Sequence, residues 1–472
     1  MTAVCGSLVS PVKTVVIFAH ECAPYHRPQS TIGAQRPAQF AKWLPEFGWR
    51  VVVICCDRDR RRTLDARGIS EVGNETTKRL LSERAKSSII LPTPSLLADG
   101  PVDRVWHSLA SSPISGKQPA LSLRKGLTAL KLRTGDYSQS WQPCARLAAT
   151  TLAGTMAVDV CVGEHGPDAG LFLGAWFSRR YGVPWIADFR DPVLQGRAPL
   201  MRTVYEPIVK RLVRSAYATV NVTPQWASQD AVLFGKEAVC VTNGYDPEEM
   251  LAAKPRSSNG QVTISYLGQV LTPDQSLEPF LSGMALVAAS APDDYQALRF
   301  VYAGVHADYV TETCRRYGVL ESATIRGQID RTDALALMMA ADVLLIAGTG
   351  KATTNEWIRE GFYPGKIFEY LGAGRPILCV PEDGWALKEL LDRTRTGVSL
   401  NSPHEVCEYL RARVRDARAG VAVSFQPDGA EVSKYTRRNQ TARLAVLLDQ
   451  AVSQTARPPA ASVETRRMKQ EA

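Results

Sequence analysis

The residues best suited to chemistry lie in one stretch, Phe362 to Val380, which reads FYPGKIFEYLGAGRPILCV. Its proline and first glycine mark a loop, and apolar residues at helical spacing then predict a short helix over 366–371. Backbone N–H groups at a helix N-terminus attract anions, and Lys366 adds a positive charge there. One turn later, Glu369 can accept hydrogen bonds from two adjacent hydroxyls. The pattern favours a binding site for a nucleotide diphosphate. For this helix alone, however, an ordinary surface Lys–Glu pair explains the residues equally well.

The sequence around this helix predicts an α/β unit. Short apolar runs that read as buried parallel strands alternate with helical patterns. A glycine follows the first of these strands, at Gly268, and ligands of such folds bind where the strands end. A long closing helix is expected after the unit, and then a disordered tail. The predicted strands are 262–266, 298–303, 323–326, 343–346 and 377–380, and the predicted helices are 277–289, 309–317, 332–340, 366–371, 386–391, 403–417 and 431–451.

The first half of the chain predicts another unit of the same kind. Gly33 lies at its first strand-to-helix turn, and His165, Asp188, Arg190 and Asp191 follow directly after successive predicted strands. Binding and catalytic groups of open α/β sheets collect at this edge. The predicted strands are 13–19, 51–56, 158–162, 184–187, 218–222 and 238–241, and the predicted helices are 33–48, 143–156, 169–181, 200–215 and 225–234.

Changes of pattern divide the chain into domains. The Asn-Gly turn in VTNGYDPEE, followed by a polar stretch, marks a boundary near residue 250. The fold class is therefore α/β, with two doubly wound Rossmann-like domains facing a cleft. The expected divisions are an N-terminal domain over 1–250 with an irregular insertion at 68–139, a C-terminal domain over 251–430, a closing helix over 431–452 and a tail over 453–472.

Composition and charge exclude several classes of protein. The 472 residues are 45% hydrophobic and 22% charged, a balance typical of soluble globular proteins with more than one core. The net charge of +9 comes from 56 basic and 47 acidic residues, and no nucleic-acid-binding motif accompanies it. The excess gathers in clusters that are usually solvated faces; attraction to an anionic membrane surface or substrate is the alternative. The basic clusters are 58–67, 124–133, 210–214 and 411–418.

The cysteines and the apolar runs predict the compartment. None of the ten cysteines forms a C-x-x-C pair or has metal-ligand spacing, and several lie in predicted strands, which favours small core residues in a reducing compartment. We find no signal-peptide pattern and no apolar run of the ~20 residues that a spanning helix needs. Asp57 and Asp59 lie in the stretch DRDRRR, whose arginines oppose the binding of a cation, so we expect a surface turn and no metal. The expected location is the cytoplasm. If the basic clusters bind an anionic membrane surface, the protein would also contact the inner face of the cell membrane.

Several blocks resemble the GT-B glycosyltransferases, most closely the large retaining family 4-like group that builds bacterial exopolysaccharides and lipid-linked glycans. The most specific block is PGKIFEYLGAGRPI, and VTNGYDPEE is similar to the family's interdomain motif. RGQIDRTDALALMMAADVLLI resembles the segment before the donor site, and GAQRPAQFAKWLPEFGWRVVVI looks like the first glycine loop with its helix and strand. EHGP and PWIADFRDP look like the segments that line the acceptor side. The resemblance covers about 15–448 and is weakest over 68–139.

The resemblance assigns roles on the donor side. Glu369 matches the second glutamate of the family's paired-glutamate motif, which holds the ribose. The first glutamate falls at Gly361, with Glu360 next to it. The family's Arg and Lys that grip the diphosphate follow the glycine at Gly268, but residues 269–275 contain neither. Here Gly365 and Lys366 at the helix start, with Arg331, are the substitutes.

The resemblance also assigns the acceptor side and the reaction. His165 matches the family's histidine near the reacting sugar, and a structural histidine is the alternative. Together with Lys366 and Arg190 it forms the expected catalytic set, while Gly33, Asp188 and Asp191 belong to the acceptor side. The implied activity is retaining, hexosyltransferase-like transfer from a nucleotide sugar to a glycan or lipid-linked acceptor, without metal or cofactor. A sugar-nucleotide 2-epimerase of the same architecture and a non-catalytic nucleotide-sugar-binding scaffold remain as alternatives.

Overall fold

The computed structural model divides into two compact units, each of which is described by itself. The first unit falls within 1–221, 229–239 and 441–472, and the second comprises Val222–Ser228 and Cys240–Gln440. The expected boundary at 250 therefore falls inside the second unit. The structure describes residues 12–25, 31–57, 87–95, 141–194, 199–251, 261–349, 361–383, 385–420 and 425–455.

The first unit contains a seven-stranded sheet in the order β3-β2-β1-β4-β5-β6-β7. The pairings from β3 through to β6 are parallel, and β7 lies next to β6. The chain leaves β1 in one direction and returns to place β4 on its other side, as in doubly wound folds. The strands are β1 Lys13–Phe18, β2 Trp49–Cys56, β3 Ser88–Thr93, β4 Val160–His165, β5 Trp185–Phe189, β6 Ala218–Asn221 and β7 Ala238–Cys240.

Helices alternate with these strands, and one of them packs unusually close to the sheet. Cβ atoms added at Gly163 of β4 or at Gly174 of the helix after it would lie 2.6 to 3.0 Å from the facing backbone, so only glycine allows this approach. The close packing holds the end of β4 rigidly against its helix. The helices are α1 Thr31–Trp43, α2 Gln142–Ala153, α3 Ala169–Tyr181 and α4 Pro199–Val213, and a 3₁₀ turn, Leu44–Phe47, follows α1. Helix α5, Pro224–Phe234, begins in the segment Val222–Ser228 of the second unit and ends in the first unit.

Strand β3 corrects part of the expectation of an irregular insertion at 68–139. It pairs in parallel with β2 along its whole length, from Ser88 to Thr93. Only alternate residues of β3 are buried, because it is the outermost strand of the sheet. Its short apolar run, interrupted by Pro92, therefore does not read as a strand that is buried on both faces. Apart from 87–95, the residues of the expected insertion lie outside the described part of the chain.

The second unit contains a six-stranded sheet in the order β10-β9-β8-β11-β12-β13, with parallel pairing throughout. This is again the doubly wound arrangement, so the predicted fold class, with two Rossmann-like α/β units, is confirmed. The strands are β8 Val262–Leu267, β9 Leu298–Ala303, β10 Ala323–Arg326, β11 Val343–Ile346, β12 Ile377–Cys379 and β13 Gly397–Ser399. The helices are α6 Pro247–Leu251, α7 Glu278–Ser290, α8 Pro292–Gln296, α9 Ala307–Arg316, α10 Arg331–Ala340, α11 Lys366–Ala373, α12 Ala386–Thr394, α13 Pro403–Arg418 and α14 Gly429–Ser433.

The closing segment is not the single long helix expected over 431–451. Helix α14 ends at Ser433, and a separate helix, α15, runs from Arg437 to Thr455. Between them the backbone leaves the helical path to pair with the motif at Tyr245: Tyr245 N–H donates to Tyr435, and Arg437 N–H donates to Tyr245. Thr436 then restarts the helix, because its hydroxyl accepts from the N–H of Asn439. Tertiary backbone pairing therefore overrides the helical spacing here.

The cysteines and the hydrophobic segments show no sign of a membrane-spanning or disulfide-linked design in the part of the chain that is described. Every cysteine there is free, and all but Cys240 are buried. None of the described helices combines the length and the apolar character needed to cross a bilayer.

Candidate functional site

Lys366 begins helix α11 at the carboxyl edge of the second sheet. Gly365 immediately precedes the helix, which runs two residues beyond the predicted end at 371, and left-handed Gly374 ends it. The lysine is buried at 8% exposure, its Nζ donates to the carbonyl of Gln269 at 3.0 Å, and it lies 3.8 Å from the centre of the Tyr266 ring. Burial lowers the pKa of Lys366 to about 7, although Glu369 acts to raise it. The side chain can therefore gain or lose a proton near neutral pH.

The backbone loop after β8, at Gly268 and Gln269, forms the surface against which Lys366 packs. Gly268 has a φ of +103°, a conformation that side-chain-bearing residues rarely adopt. Its carbonyl accepts from the Tyr302 hydroxyl at 3.1 Å, and the carbonyl of Gln269 accepts from the Tyr266 hydroxyl at 2.9 Å. A Cβ at Gly268 would lie 3.6 Å from Lys366 Nζ. Two tyrosines thus hold the loop, and Lys366 packs against it. Two of the residues predicted for the donor side, Gly268 and Lys366, are therefore neighbours.

Glu369 and Arg331 are brought together by the structure, but as partners of each other. Arg331, the first residue of α10, donates from Nη1 to Glu369 Oε1 at 2.7 Å. It also donates from Nη2 and Nε to Glu249 Oε2, at 2.5 and 3.2 Å. Burial lowers the pKa of Arg331, but the two carboxylates, Glu369 foremost, outweigh it and raise that pKa. Arg331 therefore fixes one oxygen of Glu369, and Glu369 Oε2 accepts no hydrogen bond from the described residues.

The position that the resemblance gives to the first glutamate requires glycine. Gly361 has a φ of +136°, and a Cβ there would lie 2.8 Å from Gln225 Cβ and 3.3 Å from Thr223 Oγ1. A glutamate at this position would therefore be strained and would displace its neighbours. The adjacent candidate, Glu360, lies outside the described residues.

On the first unit, Arg190 is the centre of a buried polar group. It follows β5, donates from Nε to the carbonyl of His165 at 3.3 Å, and donates from Nη2 to the carbonyl of Gly166. A Cβ added at Gly33 would overlap Nη1, and one at Gly166 would overlap Nη2. Two of the predicted residues, Gly33 and Arg190, are thus in direct contact. The guanidinium therefore occupies space that a side chain at either glycine would fill.

Asp188 is held by an arginine that the sequence analysis missed. Arg36 of α1, 1% exposed, donates from Nε and Nη2 to the two oxygens of Asp188 at 2.9 and 2.8 Å. Asp188 lies in β5 rather than in the loop after it, because β5 pairs with β4 as far as Phe189. Both carboxylate oxygens of Asp188 therefore accept charge-assisted hydrogen bonds from Arg36. Asp191, by contrast, is exposed on the loop.

His165 is also the last residue of its strand, not a loop residue as expected. Its Nε2 lies 3.1 Å from Asp168 Oδ1, and its ring packs against Phe189 at 5.7 Å. On the same side, Asp230 accepts from Asn221 Nδ2 at 2.6 Å. Burial raises the pKa of Asp230 to about 7, opposed by that hydrogen bond and by His165. The histidine therefore lies beside a buried carboxyl, that of Asp168, and packs on an aromatic ring.

Glu164 is the second residue that the sequence analysis did not single out. It precedes His165 in β4, is 3% exposed, and its Oε1 lies 3.7 Å from Arg190 Nε. Burial raises the pKa of Glu164 to about 8; Arg190 and Arg36 oppose the shift, whereas Asp188 and Glu21 add to it. The sequence analysis did not single out Glu164 because it lies inside a strand, and the only pattern that includes it is EHGP. Within the described residues, no group of three or more His, Cys, Asp or Glu side chains is arranged to hold a metal ion.

Known structures share this fold. The chain is similar to a glycosyltransferase from Rickettsia africae, at 12% identity over 94% of this chain and 99% of that one, with a TM-score of 0.53. It is similar to Anabaena HepE in complex with UDP and glucose, at 12% identity over 93% and 100% of the two chains and a TM-score of 0.52. It is also similar to the N-terminal domain of trehalose-6-phosphate phosphatase from Candida albicans, at 12% identity over 94% and 98% and a TM-score of 0.59. No protein-family model and no curated protein matches the sequence.

These similarities show the architecture of the chain, and its chemistry must be inferred from its own residues. At such identities only the fold is shared, and it spans nearly the whole of both chains. On the second unit the predicted residues form two contacts, Lys366 with the Gly268 loop and Glu369 with Arg331. On the first unit, Gly33, His165 and Arg190 cluster at the carboxyl edge of the sheet.

Proposed function

We propose that this protein is a glycosyltransferase that moves a sugar from a nucleotide-diphosphate sugar to a hydroxyl of a glycan, glycolipid or small-molecule acceptor. The observation that carries the proposal is the buried Lys366 at the start of α11, packed on the left-handed Gly268 loop of a Rossmann-like unit. A desolvated lysine beside a helix N-terminus is suited to a diphosphate. The fold is shared with a glycosyltransferase and with HepE, whose structure contains UDP and glucose.

The second unit would bind the donor. Lys366 and the N–H groups at the start of α11 would stabilise the leaving diphosphate as its negative charge develops. Glu369 would receive the ribose hydroxyls on Oε2, because Arg331 already holds Oε1. Arg331 would thus orient the ribose-binding carboxylate rather than grip the diphosphate itself. This is the role that the geometry favours over the one expected from the sequence.

The first unit would supply the acceptor side. His165 and Arg190 lie at the carboxyl edge of its sheet, where acceptor groups of such folds collect. Arg190 fixes the backbone at His165 and Gly166, so it would hold the histidine in place as well as offer charge to a ligand. Retention at the anomeric carbon, a hexosyl donor, a role in polysaccharide synthesis, independence of metal and peripheral contact with a membrane are finer proposals that follow from the family resemblance.

The test is nucleotide release from a panel of UDP-, GDP- and dTDP-sugars, with and without a membrane-lipid extract as acceptor and with and without EDTA. We expect release with one donor class that depends on the acceptor and survives EDTA. Isomerisation of the donor without acceptor would identify a sugar-nucleotide 2-epimerase instead. Tight nucleotide binding without turnover under every pairing would identify a binding scaffold.

A further inference from the structure

Among the described residues, no ionised carboxylate compensates the charge of the Arg190 guanidinium at neutral pH. Arg36 neutralises Asp188 through two hydrogen bonds, and Glu21 lies 3.6 Å from Nδ1 of His20. The remaining carboxyl beside Arg190 is that of Glu164, whose Oε1 is buried and accepts no hydrogen bond from any described residue. At 3.7 Å from Arg190 Nε it is too distant for one.

The protonation state of Glu164 explains why that oxygen is unpaired. Burial raises its pKa to about 8, so the carboxyl is mainly protonated at pH 7 and carries no charge to set against Arg190. An ionised carboxylate that was this deeply buried would be expected to take a direct hydrogen bond from the arginine. Asp191, next to Arg190 in sequence, is exposed to solvent, and water screens its charge.

One nitrogen of the Arg190 guanidinium has no hydrogen-bond partner among the described residues. Its Nε and Nη2 are engaged by the carbonyls of His165 and Gly166, whereas Nη1 donates to no described residue. Nη1 lies over Gly33 in the first turn of the 13-residue helix α1, whose N–H groups add a partial positive charge. Gly33 has no side chain to cover it. A fixed guanidinium, a helix start and a neutral carboxyl that can donate its proton form one anion-binding arrangement.

We propose that Arg190, Glu164 and the first turn of α1 form an oxyanion subsite on the first unit, and that the acceptor of this enzyme carries a phosphate or a similar anion bound there with Glu164 protonated. The part that concerns the acceptor rests on the proposed transferase function. The subsite itself does not, because anion binding can be measured without turnover. Glu164 acts here as a positioning residue that controls the free charge of Arg190.

The experiment uses sulfate as the probe, because its charge is constant between pH 6 and 9. Sulfate affinity is measured by calorimetry in a Lys366→Met background, which removes the lysine of the second unit as an anion site. We expect sulfate to bind the parent and not Arg190→Gln. Arg180→Gln is the control: it removes the same charge from an exposed position in the last turn of α3, so sulfate should still bind. Sulfate binding that is absent, or unchanged in Arg190→Gln, would overturn the subsite.

The pH profile separates a proton-controlled subsite from a simple surface arginine. If binding needs the protonated carboxyl, affinity falls about tenfold between pH 7 and pH 9 for a pKa of about 8. Glu164→Gln is always neutral, so its affinity should stay level across the same range. A pH profile of Glu164→Gln identical to that of the parent would refute the role of Glu164. Thermal unfolding of each variant shows whether it is folded.

Two further arms identify the source of the anion. Methyl phosphate in solution and vesicles of phosphatidylglycerol, with phosphatidylcholine vesicles as the neutral control, compete against bound sulfate. Displacement by methyl phosphate alone assigns a soluble phosphorylated acceptor, and displacement by the anionic vesicles assigns a lipid headgroup. Failure of both to displace sulfate would overturn the assignment of a phosphate ligand. Sulfate binding with no transfer from any donor would refute the transferase and leave the subsite standing.

Discussion

Binding of a nucleoside diphosphate should draw a proton onto Lys366. The lysine is buried, and its pKa is lowered to about 7, so at pH 8 about nine-tenths of the molecules hold it neutral. A diphosphate brought next to Nζ favours the charged form and raises that pKa well above 8. The expected uptake is therefore about 0.9 proton per nucleotide at pH 8 and about 0.1 at pH 6.

The measurement is calorimetric titration of UDP, GDP or dTDP at pH 8 in two buffers with different ionisation enthalpies. The difference between the observed heats gives the number of protons taken up. A phosphate with a second pKa near 6 is already ionised at pH 8, so the nucleotide itself contributes little. Lys366→Met keeps the length of the side chain and should bring the uptake to zero. Lys388→Met removes an exposed lysine from α12 and should leave it unchanged.

Two results would refute this reasoning. Tight nucleotide binding with no proton uptake at pH 8 would mean that Lys366 is already charged in the free protein, held by the Gln269 carbonyl and the Tyr266 ring. Uptake that persists in Lys366→Met would move the titrating group elsewhere. In the expected case, affinity weakens about tenfold per pH unit above pH 7, because the proton must be supplied from solution.

Three other substitutions test the sites. Glu369→Gln should weaken nucleotide binding about tenfold or more, the scale of one hydrogen bond to a charged group, measured by calorimetry; unchanged affinity would remove the ribose assignment. Gly33→Ala should displace the Arg190 guanidinium and lower transfer while leaving the melting temperature near that of the parent, and Gly429→Ala, which meets open space, is its control. Gly361→Ala should cost about 1–3 kcal/mol of unfolding free energy for its backbone conformation, plus the contact with Gln225. Gly318→Ala, at φ +68° with nothing nearby, measures the cost of a left-handed backbone without a steric contact, so its loss should be the smaller one, and equal losses in the two variants would contradict the argument.

The regular elements could be predicted where the sequence pattern is strong and local. Helix α3 runs over 169–181 as expected, because its apolar spacing is clear and Gly182 takes the left-handed conformation that ends it. Strands β9, β10 and β11 also begin and end where their apolar runs do. The errors come from tertiary effects. The break between α14 and α15 exists because Tyr245 pairs with the backbone there, which no local pattern shows.

The candidate site was predictable at the level of sheet edges but not of partners. Placing polar residues after strands brought His165 and Arg190 to the correct edge, although β4 and β5 run further than their apolar residues and include His165 and Asp188. Arg36 reads as a surface arginine on a helix, and only the buried carboxylate of Asp188 explains its position. Side-chain pairings between distant segments leave no trace in residue spacing.

In each unit, burial disfavours the charged form of one titratable residue, a base in one unit and an acid in the other. In the second, burial holds a lysine near neutrality; in the first, burial keeps a glutamic acid protonated. Each of these two groups avoids the desolvation cost of its own buried charge when no ligand is bound, and each arrangement binds an anion better at low pH. The two midpoints differ, at about 7 and about 8, so the pH dependence of KM should separate them. KM for the nucleotide sugar should rise above pH 7 and level in Lys366→Met, and KM for an anionic acceptor should rise above pH 8 and level in Glu164→Gln. A single midpoint shared by both substrates, unmoved by either substitution, would show that neither buried group controls binding.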